Sequence, residues 1–476
     1  MNDYELTSGS TFHSAGLVGQ LRSDVNLTRM IQYSTDLYRQ LKDETGVEPD
    51  WCEVGSLRLA SLPERMEELR RLTALSHSFG LPLELIGPKE AQDLFPVMTL
   101  TDVLGAVYLP TDGYIDPNGL TMALAAGAKS RGARFLTHTR VQGIELMNGR
   151  IHKVITDQGN IETEIVVNAT GPWAGEIARM VGVYLLIIPM EHEYILTKPI
   201  AGQPSGLPTM RDPDWLIYYR EEVGGLLMGG YERNPFPWSL KGIPADFNNK
   251  LLAADWDRFM PIIENAIRRT PQLETAEIIQ MINGPEAFTP DSEFLLGPTD
   301  VPGFWVAAGF CAHGLASAGG TGKVMAEWII DSWLKKMAEI ETAVSILTPP
   351  AFCHNDLLNG NFLLDNGRVF LLDWEYAGMG DVFFDLANLA AHHEFDDEQE
   401  LWLLTNYFGS ASSLQQARLK LMKIMSDFRE AMWGMVQIGI SQLDFDFRGY
   451  ANQHFDRMAN SMYHPDYYHW LNEIQD

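Results

Sequence analysis

Along most of the chain, segments in which hydrophobic residues have the spacing of a β-strand alternate with segments in which they have the spacing of an α-helix. The segment EIVVNATGPWAGEIARMVG starts with a short apolar run, passes a glycine turn and continues with helical spacing, which predicts strand, turn and helix over 164–182. A similar unit follows Gly303, where GFWVAAGF precedes GTGKVMAEWIIDSWLKKM. Over 131–159, strand-like alternation is interrupted by Asn-Gly and Gln-Gly pairs, which is typical of hairpins. These patterns predict an α/β fold.

The pattern changes near position 340. The segment AEIETAVSILTPP ends in a Pro-Pro pair at 349–350, and the residues beyond it predict helices rich in Trp, Tyr and Met. We therefore predict a first region over 1–332, a linker over 333–349 and a second region over 350–476.

Composition and charge narrow the classes of partner. The chain has 476 residues, three cysteines without metal spacing and a net charge of −28. Nucleic acids and anionic membranes both require basic patches, so we expect neither as a partner. No apolar run is long enough for a transmembrane helix, and the start MNDYELTSGS lacks the features of a secretory signal. We expect a cytoplasmic protein with a small-molecule ligand.

The first region carries a series of motifs. ELTSGSTFHSAGLVGQLR is followed in order by TDGYIDPNGLTMALAAGAKSRGA, VVNATGPWAGEIA, REEVGGLLMGGYE, NGPEAFTPDSEFLLGP and AAGFCAHGLASAGGTGKVMAEWI. Together, over nearly all of 4–332, they resemble the dimethylglycine and sarcosine dehydrogenase group of FAD-dependent oxidoreductases, which is related to D-amino-acid oxidase. The resemblance implies an FAD-binding Rossmann-like domain with an antiparallel substrate sheet from about 50–110 and 185–285.

The resemblance also implies which residues contact FAD. His13 of the STxH stretch would attach the flavin covalently through a ring nitrogen, which a neutral imidazole can offer. Glycine permits close approach of the backbone to a cofactor. The predicted cofactor-binding residues are Gly9, Ser10, His13, Gly16, Thr170, Gly171, Pro172, Gly309, His313 and Gly314. The alternatives are a histidine that fills a gap and glycines in ordinary turns.

The substrate implied by the resemblance is an N-methylated amino acid. Family members take a hydride equivalent from a carbon next to an amine, and the resulting imine hydrolyses. The substrate's carboxylate favours an arginine partner. Our candidates are Arg220, Tyr218, Tyr219, His192 and Tyr194. The alternative is that they are strand residues facing solvent.

One expected motif is missing. G-x-G-x-x-G, which holds the pyrophosphate in dinucleotide-binding folds, occurs nowhere in the sequence. Glu5 stands where the acidic residue that ends the second strand normally falls. We expect the flavin domain to be incomplete at its N-terminus, or the start to be misassigned with the motif encoded upstream.

The second region carries motifs of another kind. CHNDLLNGNF has H-x-D-x-x-x-x-N spacing, and LLDWE and FDLAN follow it. This region resembles the C-terminal, protein-kinase-like and mainly helical lobe of choline/ethanolamine kinases and aminoglycoside phosphotransferases. The resemblance implies Asp356 as the base, His354 as a brace of the loop, and ATP with Mg²⁺ on Asn361, Asp373 and Glu375. A charged surface loop is the alternative.

Aromatic residues further on favour the choline-kinase branch. In that branch the corresponding rings surround a quaternary ammonium, and Trp433, Phe445 and Tyr450 take these places here. An aromatic core stripe is the alternative. The stretch before 350 does not predict the β-rich lobe that holds ATP in this family.

Three functions remain open from the sequence. The first is an FAD-dependent oxidoreductase for N-methylated amino acids of the dimethylglycine and sarcosine type, fused to a partial kinase-like lobe. The second is a phosphotransferase that receives its ATP-binding lobe from another chain. The third is an inactive fusion remnant, since both families can serve choline metabolism and their genes could lie side by side.

Overall fold

The computed structural model describes residues 5–344, 350–441 and 443–475. The chain divides into two compact units, Met1–Ala326 and Glu327–Asp476, called here the first and second units. In the described residues, no helix is both long and apolar enough to cross a membrane.

The first unit combines several sheets with peripheral helices. Its strands are β1 Leu17–Val18, β2 Trp51–Cys52, β3 Ser56–Ala60, β4 Glu84–Ile86, β5 Gly105–Leu109, β6 Gly113–Ile115, β7 Val141–Met147, β8 Arg150–Thr156, β9 Gly159–Glu162, β10 Val166–Asn168, β11 Ile188–Thr197, β12 Thr209–Asp212, β13 Ile217–Glu222, β14 Gly225–Gly230, β15 Ile278–Phe288, β16 Leu295–Pro298 and β17 Phe304–Ala308. Its helices are α1 Val25–Thr45, α2 Pro63–His77, α3 Pro88–Leu94, α4 Pro117–Ser130, α5 Ala174–Arg179 and α6 Trp256–Arg269, followed by the start of α7 Gly314–Val344.

Local side chains determine where several helices begin. Asp24 accepts a hydrogen bond from the Leu27 backbone at the start of α1, and Asp255 accepts one from the Arg258 backbone at the start of α6. Each carboxylate satisfies a backbone N–H that has no partner inside the helix. Gly46 ends α1 in the left-handed conformation, with φ of 72°, which glycine adopts without steric cost.

The largest sheet has eight strands in the order β15-β11-β14-β13-β12-β3-β5-β4. They come from 56–109 and 188–288, the two segments from which we expected a substrate sheet. The pairing is antiparallel except between β12 and β3, which run parallel. A wholly antiparallel sheet was therefore too simple a prediction.

The two faces of this sheet have different surroundings. Ile217 and Tyr219 of β13 lie in the main hydrophobic core with Phe259 of α6. Tyr218, between them, packs with Tyr194 in a separate cluster. Because successive side chains of a strand point to opposite faces, one face packs in the main core and the other in the smaller buried cluster of Tyr194, Tyr218, Leu227 and Ile282.

A three-stranded sheet in the order β10-β17-β16 represents the predicted flavin domain. Val166–Asn168 runs parallel to Phe304–Ala308, and β16 pairs antiparallel with β17. Dinucleotide-binding folds have a mostly parallel sheet. The described strands of this sheet include one such parallel pair.

The predicted hairpin of 131–159 is confirmed. β7 and β8 pair antiparallel, and Met147 lies opposite Arg150. Asn148 and Gly149 between them both have positive φ, 54° and 77°. That geometry is typical of a two-residue turn that matches strand twist. β9 then pairs with β8, and β1, β6 and β2 form a further small sheet.

The second unit is mainly helical. After the end of α7 it contains four short strands, β18 Ala351–Cys353, β19 Phe362–Asp365, β20 Arg368–Leu371 and β21 Gly378–Gly380. Its helices are α8 Val382–His392, α9 Asp397–Phe408, α10 Ser413–Ile440, α11 Phe447–Met462 and α12 Tyr467–Gln475. This composition agrees with the predicted helical lobe.

The linker predicted over 333–349 is partly helical. Residues up to Val344 continue α7, and Met337, Ile340 and Ala343 are buried in the hydrophobic core of the second unit. Burial of these apolar side chains explains why the segment is ordered, since each contributes about 1–3 kcal/mol. The rest of the predicted linker, 345–349, lies outside the described residues.

Candidate functional site

A cavity of about 590 Å³ in the first unit brings together motifs that are distant in the sequence. Six of the ten predicted cofactor-binding residues line it: Gly9, Ser10, Thr170, Gly171, Pro172 and Gly314. Its volume lies within the roughly 300–1,000 Å³ range of small-molecule sites. We call this space the cofactor cavity.

Hydrogen bonds hold the two main lining segments in place. Ser10 Oγ donates to the Pro285 carbonyl at 2.6 Å, which ties the first motif to β15. Thr170 Oγ1 donates to Asn168 Oδ1 at 2.7 Å, and Asn168 Nδ2 donates to the Ala174 carbonyl at 2.9 Å. The turn after β10 is therefore fixed by hydrogen bonds of its own side chains, of which that of Asn168 is buried.

The turn before α7 has an unusual backbone. Gly309, Cys311 and Ala312 all have positive φ, at 70°, 47° and 62°. Positive φ is unfavourable for cysteine and alanine, and such strain is found most often at functional sites. Cys311, Ala312 and Gly314 line the cofactor cavity. This turn leads into the N-terminus of α7, where backbone N–H groups favour an anion.

Two predicted glycines have a packing role. A Cβ on Gly309 would lie 2.7 Å from Thr289 Cγ2, and one on Gly16 would lie 2.2 Å from the Ile115 carbonyl oxygen. Both glycines also have positive φ. Close approach of the protein to itself therefore explains these two positions, where we had predicted close approach to the cofactor.

His13 is 5% exposed and packs against β15. A Cβ on Gly284 would lie 2.4 Å from its ring atoms, so glycine there makes room for the imidazole. Burial lowers the pKa of His13 to about 4, and the ring is neutral at pH 7. His313 is half-buried, and burial followed by the charge of Arg22 lowers its pKa well below the usual value.

A smaller pocket of about 40 Å³ adjoins the cofactor cavity. Ser14, Glu286, Ala312 and Leu315 line both spaces. Its aromatic wall includes His192, Tyr194, Tyr218 and Tyr231, and His13 and Arg211 also line it. His192 Nε2 lies 2.9 Å from the Tyr218 hydroxyl. We call this space the substrate pocket.

Glu286 is a functional candidate that our sequence reasoning missed. It lies between the two spaces, and burial raises the pKa of its carboxyl from 4.5 to about 7. A carboxylate with such a pKa can exchange protons near neutrality. Its position within the quoted motif NGPEAFTPDSEFLLGP was a signal, but only the paired strands show that it faces both spaces.

The structure places two of the predicted substrate residues elsewhere. Tyr219 is fully buried on the core face of the sheet, where its hydroxyl donates to the Ala266 carbonyl at 3.1 Å. The Arg220 guanidinium pairs with Glu222 and lies 4.7 Å from the centre of the Tyr114 ring. The other three of the five candidates, His192, Tyr194 and Tyr218, line the substrate pocket.

In the second unit, hydrogen bonds organise the HxDxxxxN loop. Asn361 Nδ2 donates to Asp356 Oδ2 at 3.0 Å, and Arg429 Nη2 lies 3.3 Å from Asp356 Oδ1. Burial raises the pKa of Asp356. His354 Nε2 lies 2.8 Å from the Leu372 carbonyl, so the histidine links this loop to the LLDWE segment. The Asp385 carboxylate accepts the backbone N–H groups of His354 and Asn355, each at 2.7 Å.

The predicted magnesium ligands are less closely arranged. Asp373 and Glu375 are both exposed, and Asp373 has a positive φ of 58°. Over 5–344, 350–441 and 443–475, no group of three or more His, Cys, Asp or Glu side chains is placed to hold a metal ion. Magnesium at Asn361, Asp373 and Glu375 therefore stays a prediction.

The predicted aromatic residues of the second unit form one group. The ring centroids of Trp433 and Phe445 lie 5.8 Å and 6.0 Å from that of Tyr450, and Phe447 contacts both Trp433 and Phe445. The Tyr450 hydroxyl donates to Glu430 Oε2 at 2.7 Å. Several rings beside a carboxylate are compatible with binding a cation.

The fold of the first unit is typical of flavin-dependent oxidoreductases. The family model described as "FAD dependent oxidoreductase" matches residues 3–328, so the chain belongs to that family. A second model, "Phosphotransferase enzyme family", matches residues 312–418. Both resemblances predicted from the motifs are thus confirmed.

Curated relatives match the first unit. Mouse (Mus musculus) mitochondrial sarcosine dehydrogenase is 37% identical over 332 residues, which are 68% of this chain and 36% of that protein. Human (Homo sapiens) mitochondrial dimethylglycine dehydrogenase is 37% identical over 335 residues, 68% of this chain and 39% of that protein. The chain therefore spans well under half the length of these relatives.

Solved structures agree on the fold of this region. L-proline dehydrogenase from P. horikoshii superposes with a TM-score of 0.63 at 29% identity, over 69% of this chain and 86% of that one. Glycine oxidase from Geobacillus kaustophilus has a TM-score of 0.59 at 24% identity, over 69% of this chain and 87% of that one.

Proposed function

We propose that the first unit binds FAD and oxidises an N-methylated amino acid of the dimethylglycine or sarcosine type. The observation that carries this proposal is the contact between the cofactor cavity and the substrate pocket. Glu286, Ser14 and Ala312 line both, so a small amine in the pocket would lie next to a flavin in the cavity. The names of the curated relatives support the same substrates.

The lining of the cavity fits a flavin. Small residues from three segments, including Gly9, Gly171 and Gly314, leave room for a flat ring system, and the turn before α7 offers backbone N–H groups. When bound, FAD would accept a hydride equivalent from the carbon beside the amine. The G-x-G-x-x-G motif does not occur in this sequence, so FAD would be held by the residues that line the cofactor cavity.

Residues of the pocket would prepare the amine. An ammonium group must lose a proton before its carbon can be oxidised, and Glu286 is the carboxylate whose pKa near 7 suits that task. The rings of His192, Tyr218 and Tyr231 lie within 6.0 Å of one another and form an aromatic wall against which N-methyl groups would pack. Neutral His13 would supply the nucleophilic nitrogen for covalent attachment of the flavin.

Reconstitution tests the proposal. The purified full chain is incubated with FAD, freed of excess cofactor, and mixed anaerobically with dimethylglycine. We expect dimethylglycine to reduce the flavin, so that its visible absorbance bleaches. N,N-dimethylglycinamide, which lacks the carboxylate, is the control amine. Protein that retains no FAD, or retained FAD that no N-methylated amino acid bleaches, would contradict it.

A second candidate function is supported by the second unit. We propose phosphorylation of a choline-like alcohol as the alternative, because Asp356 is held by Asn361 and the group of Trp433, Phe445 and Tyr450 can take a quaternary ammonium. Asp356 would accept the hydroxyl proton, with Mg²⁺ and ATP held by Asn361, Asp373 and Glu375. Calorimetric titration with ATP, Mg²⁺ and choline tests this, and the absence of heat at millimolar ATP would remove it.

Location stays a prediction. Our expectation of a cytoplasmic protein came from cysteine use and from the N-terminal sequence, whereas the mammalian relatives are mitochondrial by name. Subcellular fractionation with an antibody against the second unit would decide between them.

A further inference from the structure

One face of the long helix α10 lines a cavity of about 760 Å³ in the second unit. The end of α7, the residue before β18 and the start of α8 complete its wall. Glu341, Pro350 and Met432 line the cavity and are exposed, so it is open to solvent. Among the described residues, the predicted base and magnesium ligands of this unit do not line it. We call this space the α10 groove.

The residues that α10 contributes have the spacing of a helix that packs against another helix. Separated alternately by four and three positions, they are Arg418, Met422, Met425, Arg429 and Met432. Val436 continues this spacing, and it is 51% exposed, while Met432 is 43% exposed. Alternating steps of three and four place residues along one seam of a helix, where a partner helix packs. α8, α11 and α12 contact α10, yet the second half of this seam stays open to solvent.

The floor of the groove is the edge of the hydrophobic core. Val344 and Met422 belong to the buried core of the second unit, and Phe384, Met425 and Phe428 are partly buried against it. Contiguous exposed apolar surface of this kind marks interaction sites. Methionine side chains are flexible and polarizable, so they adapt to the shape of apolar side chains that insert between them. The groove therefore suits an apolar partner surface.

The charged residues of the groove determine which charge a partner should carry. Arg418 pairs with Asp381, and Arg429 pairs with Glu430, so neither arginine requires an added anion. Glu341 is exposed, and no ion pair within the described ranges 5–344, 350–441 and 443–475 involves it. The charge in the groove that is open to a partner is therefore negative.

The second unit as a whole is also acidic. Residues 327–476 contain 9 Lys or Arg and 23 Asp or Glu, a net charge of −14. Two copies of such a unit repel each other, since a large net charge keeps proteins apart. A basic partner would instead be attracted, because complementary charge speeds association and selects the partner. Charge therefore favours a basic partner over a second copy of this chain.

We infer that the α10 groove binds a basic amphipathic helix of a partner protein. Such helices place apolar residues at positions i, i+3 or i+4, and i+7 into an apolar groove. Here they would pack against Met425, Met432 and Val436, and lysine or arginine residues of the partner would lie near Glu341. The seam from Arg418 to Val436 is about 27 Å long at 1.5 Å per residue, which matches a helix of about five turns.

The bound helix would lie next to the candidate base of the second unit. Arg429 lines the groove, and its Nη2 lies 3.3 Å from Asp356 Oδ1. Asn355, adjacent to Asp356 in the sequence, lines the groove as well. A partner in the groove would therefore contact the residues that hold the HxDxxxxN loop in place.

The test measures binding of synthetic peptides to the full chain by fluorescence anisotropy at physiological salt. The first peptide consists of leucine and lysine, spaced to form an amphipathic helix of about five turns. In the second, glutamate replaces every lysine. The third has the composition of the first in an order that leaves no single apolar face. We expect the first peptide to bind at least tenfold more tightly than either of the others.

Two variants remove apolar contacts without changing the charge of the chain. Met432→Gln and Val436→Gln should each weaken binding of the basic amphipathic peptide at least fivefold. Leu401→Gln is the matched control, since Leu401 is 44% exposed on α9, and it should bind like the wild type. All three positions are exposed, so the melting temperatures should equal that of the wild type.

A third variant tests the charge. Glu341→Gln should weaken binding of the basic peptide several-fold, whereas Glu398→Gln, at an exposed position of α9, should leave it unchanged. Equal binding of the scrambled peptide, or unchanged binding in both Met432→Gln and Val436→Gln, would overturn the inference, because a general attraction to an acidic surface would explain the data. A dimer that sedimentation detects and Met432→Gln dissociates would also overturn it, since a second copy would fill the groove. So would binding of the apolar dye N-phenyl-1-naphthylamine that Met432→Gln abolishes and the basic peptide does not displace, since the groove would then hold a small apolar ligand.

Discussion

The two units differ in how completely they surround their candidate residues. In the first unit, distant motifs converge on two adjoining cavities, and Glu286 and His13 have pKa values altered by burial. In the second unit, Asp356 is well organised, but Asp373 and Glu375 remain exposed. A motif with correct spacing therefore predicts which residue types are present. Whether those side chains can act on one ligand depends on whether the fold places them around a common cavity. This comparison favours the first unit as the place of catalysis.

The largest expected effect concerns His13. After reconstitution with FAD and precipitation in acid, we expect wild-type protein to stay yellow and His13→Ala protein to be colourless, because the covalent bond requires the imidazole. His77→Ala, on the exposed surface of α2, should behave like the wild type. A colourless wild-type precipitate, or a yellow His13→Ala precipitate, would contradict the role of His13.

Glu286 should have the next largest effect. We expect Glu286→Gln to lower kcat/KM for dimethylglycine by about 10²-fold, the usual lower range for loss of a general base. Wild-type activity should rise with pH through about 7 as the carboxyl group ionises, and the variant should lose this rise. An unchanged pH profile in the variant would show that another group accepts the proton.

In the second unit, the carboxylate of Asp385 should have a large effect on stability. It accepts two backbone N–H groups next to Asp356, and its removal would leave both without a partner. We expect Asp385→Ala to lower the free energy of unfolding by about 2–4 kcal/mol, since hydrogen bonds to charged groups are worth about 1.5–3 kcal/mol each. Urea denaturation measures this, and the exposed Asp397→Ala should change it by less than about 1 kcal/mol. If Asp385→Ala changed the free energy of unfolding by as little, water would have replaced the carboxylate as the partner of the two N–H groups.

Glu286 should also affect stability. Burial raises the pKa of its carboxyl from 4.5 to about 7, so the folded state holds the proton more tightly than the unfolded state. The stabilisation is complete below pH 4.5 and is lost as the pH rises through 7. At pH 8 we expect Glu286→Gln to be more stable than the wild type by about 1–3 kcal/mol. Urea denaturation from pH 5 to 8 measures the difference, with Glu293→Gln as the exposed control.

The smallest effect distinguishes two adjacent tyrosines. Tyr219→Phe removes a hydrogen bond in the core and should cost about 1 kcal/mol of stability without changing dimethylglycine turnover. Tyr218→Phe removes the hydroxyl that contacts His192 and should change turnover instead. If Tyr219→Phe impaired turnover at unchanged stability, the assignment of the two sheet faces would be wrong.

The sequence predicted the architecture better than the site. Glycine turns and apolar runs identified the β10 and β17 units and the β7–β8 hairpin, because these signals are local. For Tyr219 and Arg220 the sequence could not show which face of β13 each side chain occupies, nor that Arg220 pairs with Glu222. The position of Glu286 could not be predicted, since it depends on the order of eight strands drawn from two distant segments.

The alternation along β13 bears on how this protein could acquire new specificity. Tyr218 lines the substrate pocket while Tyr219 lies in the main core, so an evolving lineage can exchange the residues on the pocket face without changing those of the main core. A one-residue insertion in the strand would instead reverse both sets at once. Directed-evolution libraries that randomise only the alternate positions should therefore contain a high proportion of folded variants.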